Sequence, residues 1–320
     1  MIFYTYLAPD VLSVKNIKND FAMQALIGIL RGFTQNCFIA EFEDYRVQDS
    51  IKEQVNNLPD TFDRKIIQKL LKTLSKHNRF IYCLIPDYSG KKDDVTCVVE
   101  QAAKCLLDLI ILSEANKGAK IPKGLEKATL ATYQTTDFEN LRSTLAINGR
   151  TFVSGELDQK DFLDWCFGKM LRYPTRIEVC DKLFGSRFSG NFEYTVKTFL
   201  RWFEQIIVEP QSCKLIFHCG KPEGHTDHHI KTQLVSFKTG RLENLPVEIQ
   251  FYQLPDNSQA LPHDRYLITD QIVIDIGRGF DFLDRNTRKN RDLTVGYKSF
   301  KEVDNLLKSY ASAMLPRILI

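Results

Sequence analysis

The chain contains no CxxC pair among its eight cysteines, and no segment approaches the roughly 20 consecutive apolar residues that span a bilayer. The first absence removes the spacing that marks a redox pair or a paired-cysteine metal site. Several cysteines instead lie in apolar runs, Ile81-Tyr-Cys-Leu-Ile and Ile177-Glu-Val-Cys among them, which reads as buried free thiols in a reducing compartment. The second absence excludes a helical membrane protein. Met1 leads directly into strand-like residues in place of a charged and apolar leader, so the expected location is the cytoplasm. Charge of one sign is also scarce. A formal net charge of +3 over 320 residues does not by itself argue a nucleic-acid partner.

What is present is ordinary globular sequence. Hydrophobic residues make up 43% and aromatic residues 11%, enough to build cores and too much for disorder. The length accommodates two domains of about 150 residues each. The expected division is 1–150 and 151–320.

Apolar residues alternate between strand and helix periods along the first half. Strands are expected over Ile2–Ala8, Cys37–Phe42, Phe80–Ile85, Leu109–Leu112 and Ala128–Thr132. Helices are expected over Asn19–Leu30, Asp60–His77 and Asp94–Leu107, and a short one from Thr136, with Lys117–Lys127 as a surface loop. That alternation implies an α/β domain with a mostly parallel sheet. The second half reads helix (Asp158–Leu171), strand (Thr175–Cys180), helix (Asn191–Val208), strand (Lys214–Cys219) and strand (Val247–Tyr252), then a hairpin. A mixed sheet flanked by helices is the expected architecture there.

The hairpin carries the most specific signal in the chain. In Leu261–Asp284, LPHDRYLITDQIVIDIGRGFDFLD, the residues His263-x-Arg265-x4-Asp270-x6-Gly277 stand at fixed spacing. This spacing resembles the phospholipase D signature, in which lysine takes the place of Arg265. In that chemistry a histidine attacks phosphorus, a cation holds the non-bridging oxygens and a carboxylate orients the imidazole. The resemblance implies His263, Arg265 and Asp270 as catalytic residues, with no cofactor. Arg278, Gly277, Gly279 and Arg288 would line the phosphate. By the strand reading, Asp181 and His218 are expected as supporting residues at neighbouring strand ends, with a satisfied interior histidine as the alternative for His218. Two departures bear on activity. Phe280 stands where active members carry asparagine, and active members use two such motifs where this chain has one. His77-Asn-Arg79 begins like a second copy, but Leu84 occupies the aspartate position.

A closer resemblance is to the phospholipase D-like domain at the C-terminus of MIT-domain proteins. It extends through TRIEVCDKLFG (Thr175 to Gly185), FEYTVKTFLRWFE and LTVGYKSF, roughly residue 155 to the end. The eukaryotic relatives are regarded as non-catalytic membrane-lipid binders. No MIT-type helical module is read ahead of this region.

In the first half, acidic residues fall at expected strand ends: Asp10, Glu41, Glu43 and Asp108. Carboxylates gathered at carboxyl ends of strands hold Mg²⁺ or Mn²⁺, and the order is similar to PIN-like ribonuclease domains. Solvated turns and helix caps produce the same pattern. Gly224-His-Thr-Asp-His-His229 has enough imidazoles for zinc, with His225 and His229 at i, i+4, but an exposed polar turn explains it as well. Arg278, Arg285, Arg288, Lys289 and Arg291 follow the hairpin and form a basic rim suited to polyphosphates.

Three functions are therefore expected in competition. The first is a phosphodiesterase, most simply a nuclease, with His263 as nucleophile and the second histidine supplied by a homodimer mate. The second is a non-catalytic module that binds anionic phospholipid or nucleic acid. The third is a metal-dependent PIN-like ribonuclease in the first half. A two-domain layout of this sort also suits a defence or toxin-like nuclease, by analogy alone.

Overall fold

β1 (Phe3–Leu7) is apolar at nearly every position and buried throughout, the pattern of a strand covered on both faces. In the computed structural model of this chain, described over residues 2–90, 92–153, 155–182, 190–221, 226–241, 247–255, 265–283, 292–312 and 317–319, β1 is the central strand of the first sheet. The chain divides into two units, Met1–Ile147 and Asn148–Ile320.

The first unit runs β1, α1 (Asp20–Asn36), β2 (Cys37–Phe42), α2 (Arg46–Asn56), α3 (Phe62–Lys76), β3 (Phe80–Leu84), α4 (Asp94–Gln101), β4 (Leu109–Ile111), β5 (Glu126–Ala128) and α5 (Asp137–Asn148). Its five strands are all parallel, in the order β3-β2-β1-β4-β5. Local chemistry sets the helix starts. Asn19, Thr61 and Asp93 each accept a backbone N–H from the first turn of α1, α3 and α4, the normal task of N-cap side chains. α4 stops at Gln101, short of the expected Leu107, and Leu106 takes a left-handed φ of 57°. The expected strand at Ala128–Thr132 is shifted back, to Glu126–Ala128.

The second unit opens with the three-residue strand β6 (Arg150–Phe152), then α6 (Gln159–Phe167), β7 (Arg176–Cys180), α7 (Gly190–Ile206), β8 (Lys214–Lys221), α8 (Asp227–Arg241) and β9 (Glu248–Pro255). β10 (Tyr266–Thr269), β11 (Val273–Ile276), β12 (Leu293–Lys298), α9 (Phe300–Ser312) and β13 (Arg317–Leu319) follow. The eight strands are ordered β13-β9-β8-β7-β10-β11-β12-β6. β7, β8 and β9 are parallel and the remaining pairings antiparallel, so the sheet is mixed, as expected.

One face of this sheet is closed by rings. Phe152 meets Phe162, Phe162 meets Phe167, Phe167 meets Phe280, and Phe280 meets Phe199, with centroids 5.0, 5.8, 6.2 and 5.6 Å apart. Phe199 continues to Phe217, which stacks on Phe251 at 4.7 Å. Such pairs add to the burial of large apolar area. On the other face Cys180, Ile268, Val273 and Val303 form a buried cluster under Phe300, Leu306 and Leu307 of α9. All eight cysteines are free thiols, seven buried and Cys83 half-buried. No helix among the described residues is long and apolar enough to cross a membrane.

Candidate functional site

The β10–β11 hairpin is shaped by its own turn. Thr269 Oγ1 accepts the backbone N–H of Gln271 (3.1 Å) and of Ile272 (2.9 Å), which lets a hydroxyl do the work of a backbone acceptor. At the opposite end of the hairpin, Arg265 O accepts Ile276 N at 2.8 Å. This brings Arg265 beside the Gly277-Arg278-Gly279 corner and beside Asp181, which directly follows β7.

Asp181 organises that corner. Its carboxylate is 1% exposed and lies 3.3 Å from Arg265 Nε. Its other oxygen accepts Phe280 N at 2.8 Å, and Arg265 Nη1 donates to Gly277 O at 3.3 Å. Gly279 is obligatory here. Its φ is +68°, and a Cβ on it would lie 2.0 Å from Asp181 Oδ2 and 2.2 Å from Arg265 Cδ. The corner thus fixes one guanidinium, 22% exposed, against a buried carboxylate. Arg278 is half-buried in the same turn. Phe280 is 1% exposed and sits in the ring chain; only its backbone reaches the corner.

Gly277, Gly279, Arg278, Arg265 and Asp181 therefore come together. His263 and Arg288 lie outside the described residues, as do Arg285, Lys289, Arg291 and His225. Asp270 does not join the group. It sits in the hairpin turn, a full strand away from Arg265, about 13 Å at the usual strand rise. There its carboxylate accepts Thr175 N (3.1 Å) and Thr175 Oγ1 (2.9 Å), tying the turn to the start of β7. The imidazole-orienting role expected from the motif spacing is not the one these bonds serve.

His218 also points elsewhere. Cys180 and His218 are register partners, and the pleat sends Asp181 to the opposite face from both. His218 Nε2 lies 2.6 Å from Glu178 Oε2 with both side chains buried, stacks on Tyr252 at 5.4 Å, and Glu178 pairs with Arg176 Nε at 2.7 Å. Burial alone would raise the Glu178 carboxyl; the hydrogen bond and charge of His218, with Arg176, outweigh it and hold the group below its ordinary range. Sequence reading supplies His218 without Glu178, because the two lie on different strands and no local pattern links them.

The acidic residues of the first unit separate on the sheet. Asp108 precedes β4, where its Oδ2 accepts Tyr4 N at 2.7 Å. Asp10 lies beyond the far end of β1 and accepts Ser113 Oγ (2.5 Å) and Asn116 Nδ2 (3.1 Å). With Thr5 opposite Leu109 in parallel register, the two carboxylates occupy opposite ends of the sheet, more than about 13 Å apart along the strands. They cannot share an ion. Glu41 is fully buried and caps α2, its oxygens accepting Phe42 N, Val47 N and Gln48 N at 2.7, 2.9 and 2.6 Å. Burial raises its carboxyl despite those three donors. Glu43 is exposed in the turn after β2. Among the described residues no three His, Cys, Asp or Glu side chains are placed to hold a metal ion.

Comparison of the chain with family models and with curated proteins gives no match.

Proposed function

We propose that the second unit recognises a phosphodiester at the corner formed by Arg265, Arg278 and the two glycines, in the manner of a phospholipase D-like domain. One observation carries this reading: Asp181 and the Gly277 carbonyl hold the Arg265 guanidinium in a single orientation while leaving it partly exposed. A preorganised planar donor beside a glycine turn suits phosphate oxygens, which it can contact in pairs. The catalytic form of the proposal is a phosphodiesterase, most simply a nuclease. His263 attacks phosphorus, the leaving oxygen departs, and the histidine of a second copy protonates it. Water then attacks the phosphohistidine and releases the product, returning both imidazoles to their starting states.

A second reading, binding without turnover, has its own observation. Asp270 is engaged with Thr175 at the far end of β10, and Phe280 is a core ring. Two polar positions expected around the histidine are thereby given to the fold. In this form the basic rim attracts nucleic acid or anionic lipid headgroups, with binding that weakens as salt rises.

One experiment separates the two forms. Wild type and His263→Ala are incubated with labelled DNA, labelled RNA and anionic phospholipid vesicles, with and without EDTA. Chelator-resistant cleavage abolished by His263→Ala supports the phosphodiesterase. Binding without cleavage, weakened by Arg265→Ala at a cost of about 1.5–3 kcal/mol per charge-assisted contact, supports the recognition module. Failure to bind any of the three ends the proposal.

A further inference from the structure

At the carboxyl ends of β1, β4 and β5 the first unit has a cleft of about 210 Å³. The strand order turns back at this point. β1 leads through α1 to β2 on one side, whereas β4 leads to β5 on the other. The loops leaving β1 and β4 therefore part company and open a crevice, which is where open parallel sheets bind ligands. Val11 and Leu112 supply apolar lining, the first turn of α1 supplies Phe21, and the segment after β5 supplies Thr129.

The polar groups around the cleft ask for a particular chemistry. Asn16 spends its amide hydrogens on Asp10 O (2.6 Å) and Ser13 Oγ (3.1 Å), leaving its oxygen as an acceptor. Asn19 uses its oxygen to cap Ala22 N, leaving its amide as a donor. Thr129 is 6% exposed. Its hydroxyl is buried without a hydrogen-bond partner, and Glu114, whose carboxyl the hydroxyl helps to lower, lines the same cleft. A gap of that kind is filled by a ligand group that donates to the carboxylate and accepts from the hydroxyl. An amino group beside a ring nitrogen does both.

Charge and size narrow the class. Glu114 lines the cleft, and Lys117, 3.1 Å from it, is already paired, so a phosphate is disfavoured. The volume corresponds to about seven waters at ~30 Å³ each, below the 300–1,000 Å³ of drug-sized pockets. That is room for one ring system. The Phe21 side chain lines the cleft at its rim and is 74% exposed, so its ring is open to a flat heterocycle, which stacks on phenylalanine readily.

We propose that this cleft binds a neutral, amino-bearing nucleobase, stacked on Phe21 and hydrogen-bonded by Asn16, Asn19, Thr129 and Glu114. The site is independent of the phosphodiester corner, and its test does not depend on activity.

The full chain is titrated with adenosine, cytidine, inosine, uridine and adenosine 5′-monophosphate, using ligand-observed NMR and calorimetry. Adenosine or cytidine is expected to bind more tightly than inosine or uridine, which lack the exocyclic amine. The monophosphate is expected to bind no better than adenosine. Phe21→Ala and the isosteric Thr129→Val should each weaken binding about tenfold, the loss of one stacking or hydrogen-bonding contact. Phe21 is exposed, so its variant keeps the fold intact, and a thermal melt verifies this for both variants. No nucleoside binding at millimolar concentration, equal affinity in wild type and Phe21→Ala, or tighter binding of the monophosphate would each overturn the proposal.

Discussion

Asp181 and Arg265 form an ion pair in which the carboxylate is buried and the guanidinium partly exposed, Nε to Oδ1 at 3.3 Å. The aspartate has a second task, accepting the backbone N–H of Phe280. Asp181→Ala should therefore lower unfolding free energy by about 1.5–3 kcal/mol, because a buried N–H loses its acceptor and a cation its counter-charge together. Asp181→Asn retains an acceptor and should cost less. Urea denaturation of both variants checks the order, and equal losses would show that only the charge matters.

Gly279→Ala is expected to be more damaging than its size suggests. The left-handed φ alone costs about 1–2 kcal/mol for a residue with a Cβ, and the added carbon would fall on Asp181 and Arg265. Anion affinity and stability should fall in parallel. A variant with normal stability and normal binding would mean that the corner is not as rigid as its geometry implies.

Asp270 is predicted to matter for stability and not for chemistry. Asp270→Ala removes the acceptor of Thr175 N and Thr175 Oγ1 at a partly exposed turn, a loss on the order of 1 kcal/mol. Binding of phosphate-bearing ligands, and any cleavage, should persist at temperatures where the variant is folded. Loss of cleavage in a fully folded variant would return Asp270 to the catalytic role that its spacing suggests.

The Glu178–His218 pair sets an acid limit on stability. The folded carboxyl titrates below its ordinary value of 4.5, so its contribution is complete above that pH. The contribution is lost as pH falls through the lower, folded value. The stability difference between wild type and Glu178→Gln, measured by urea midpoints, should therefore shrink on going from pH 7 to below 4. A constant difference across that range would show that Glu178 is not ionised in the native state.

Much of this fold is legible in the chain, and the failures have physical causes. Runs such as Cys37–Phe42 and Lys214–Cys219 announce themselves by apolar length, and both are strands. α2 does not announce its start. Tyr45 stands at its N-cap with no capping side chain, because Glu41 of the preceding strand does the capping. Val47, Ile51 and Val55 nevertheless recur at i, i+4 and i+8, all buried, a period that the sequence does contain. β6 has only three residues and is held by its pairing with β12, far along the chain. Within the site, the order of residues puts Arg265 near Gly277, since a hairpin is local. It cannot put Asp181 against Phe280 N, 99 positions away, or reveal that Asp10 and Asp108 belong to opposite ends of one sheet.

Phe280 links the ring chain to the hairpin corner, and this makes one position answer to two neighbourhoods. Its backbone closes the polar corner while its side chain joins Phe167 to Phe199. An asparagine at 280 would supply an amide and at the same time empty a ring-sized space in the core, where losing a phenylalanine costs about 3–5 kcal/mol. The polar residue is thus not one substitution away. Introducing it requires first refilling the hydrophobic layer, with larger side chains at Phe167 or Phe199 or a shifted helix, before the amide can be tolerated.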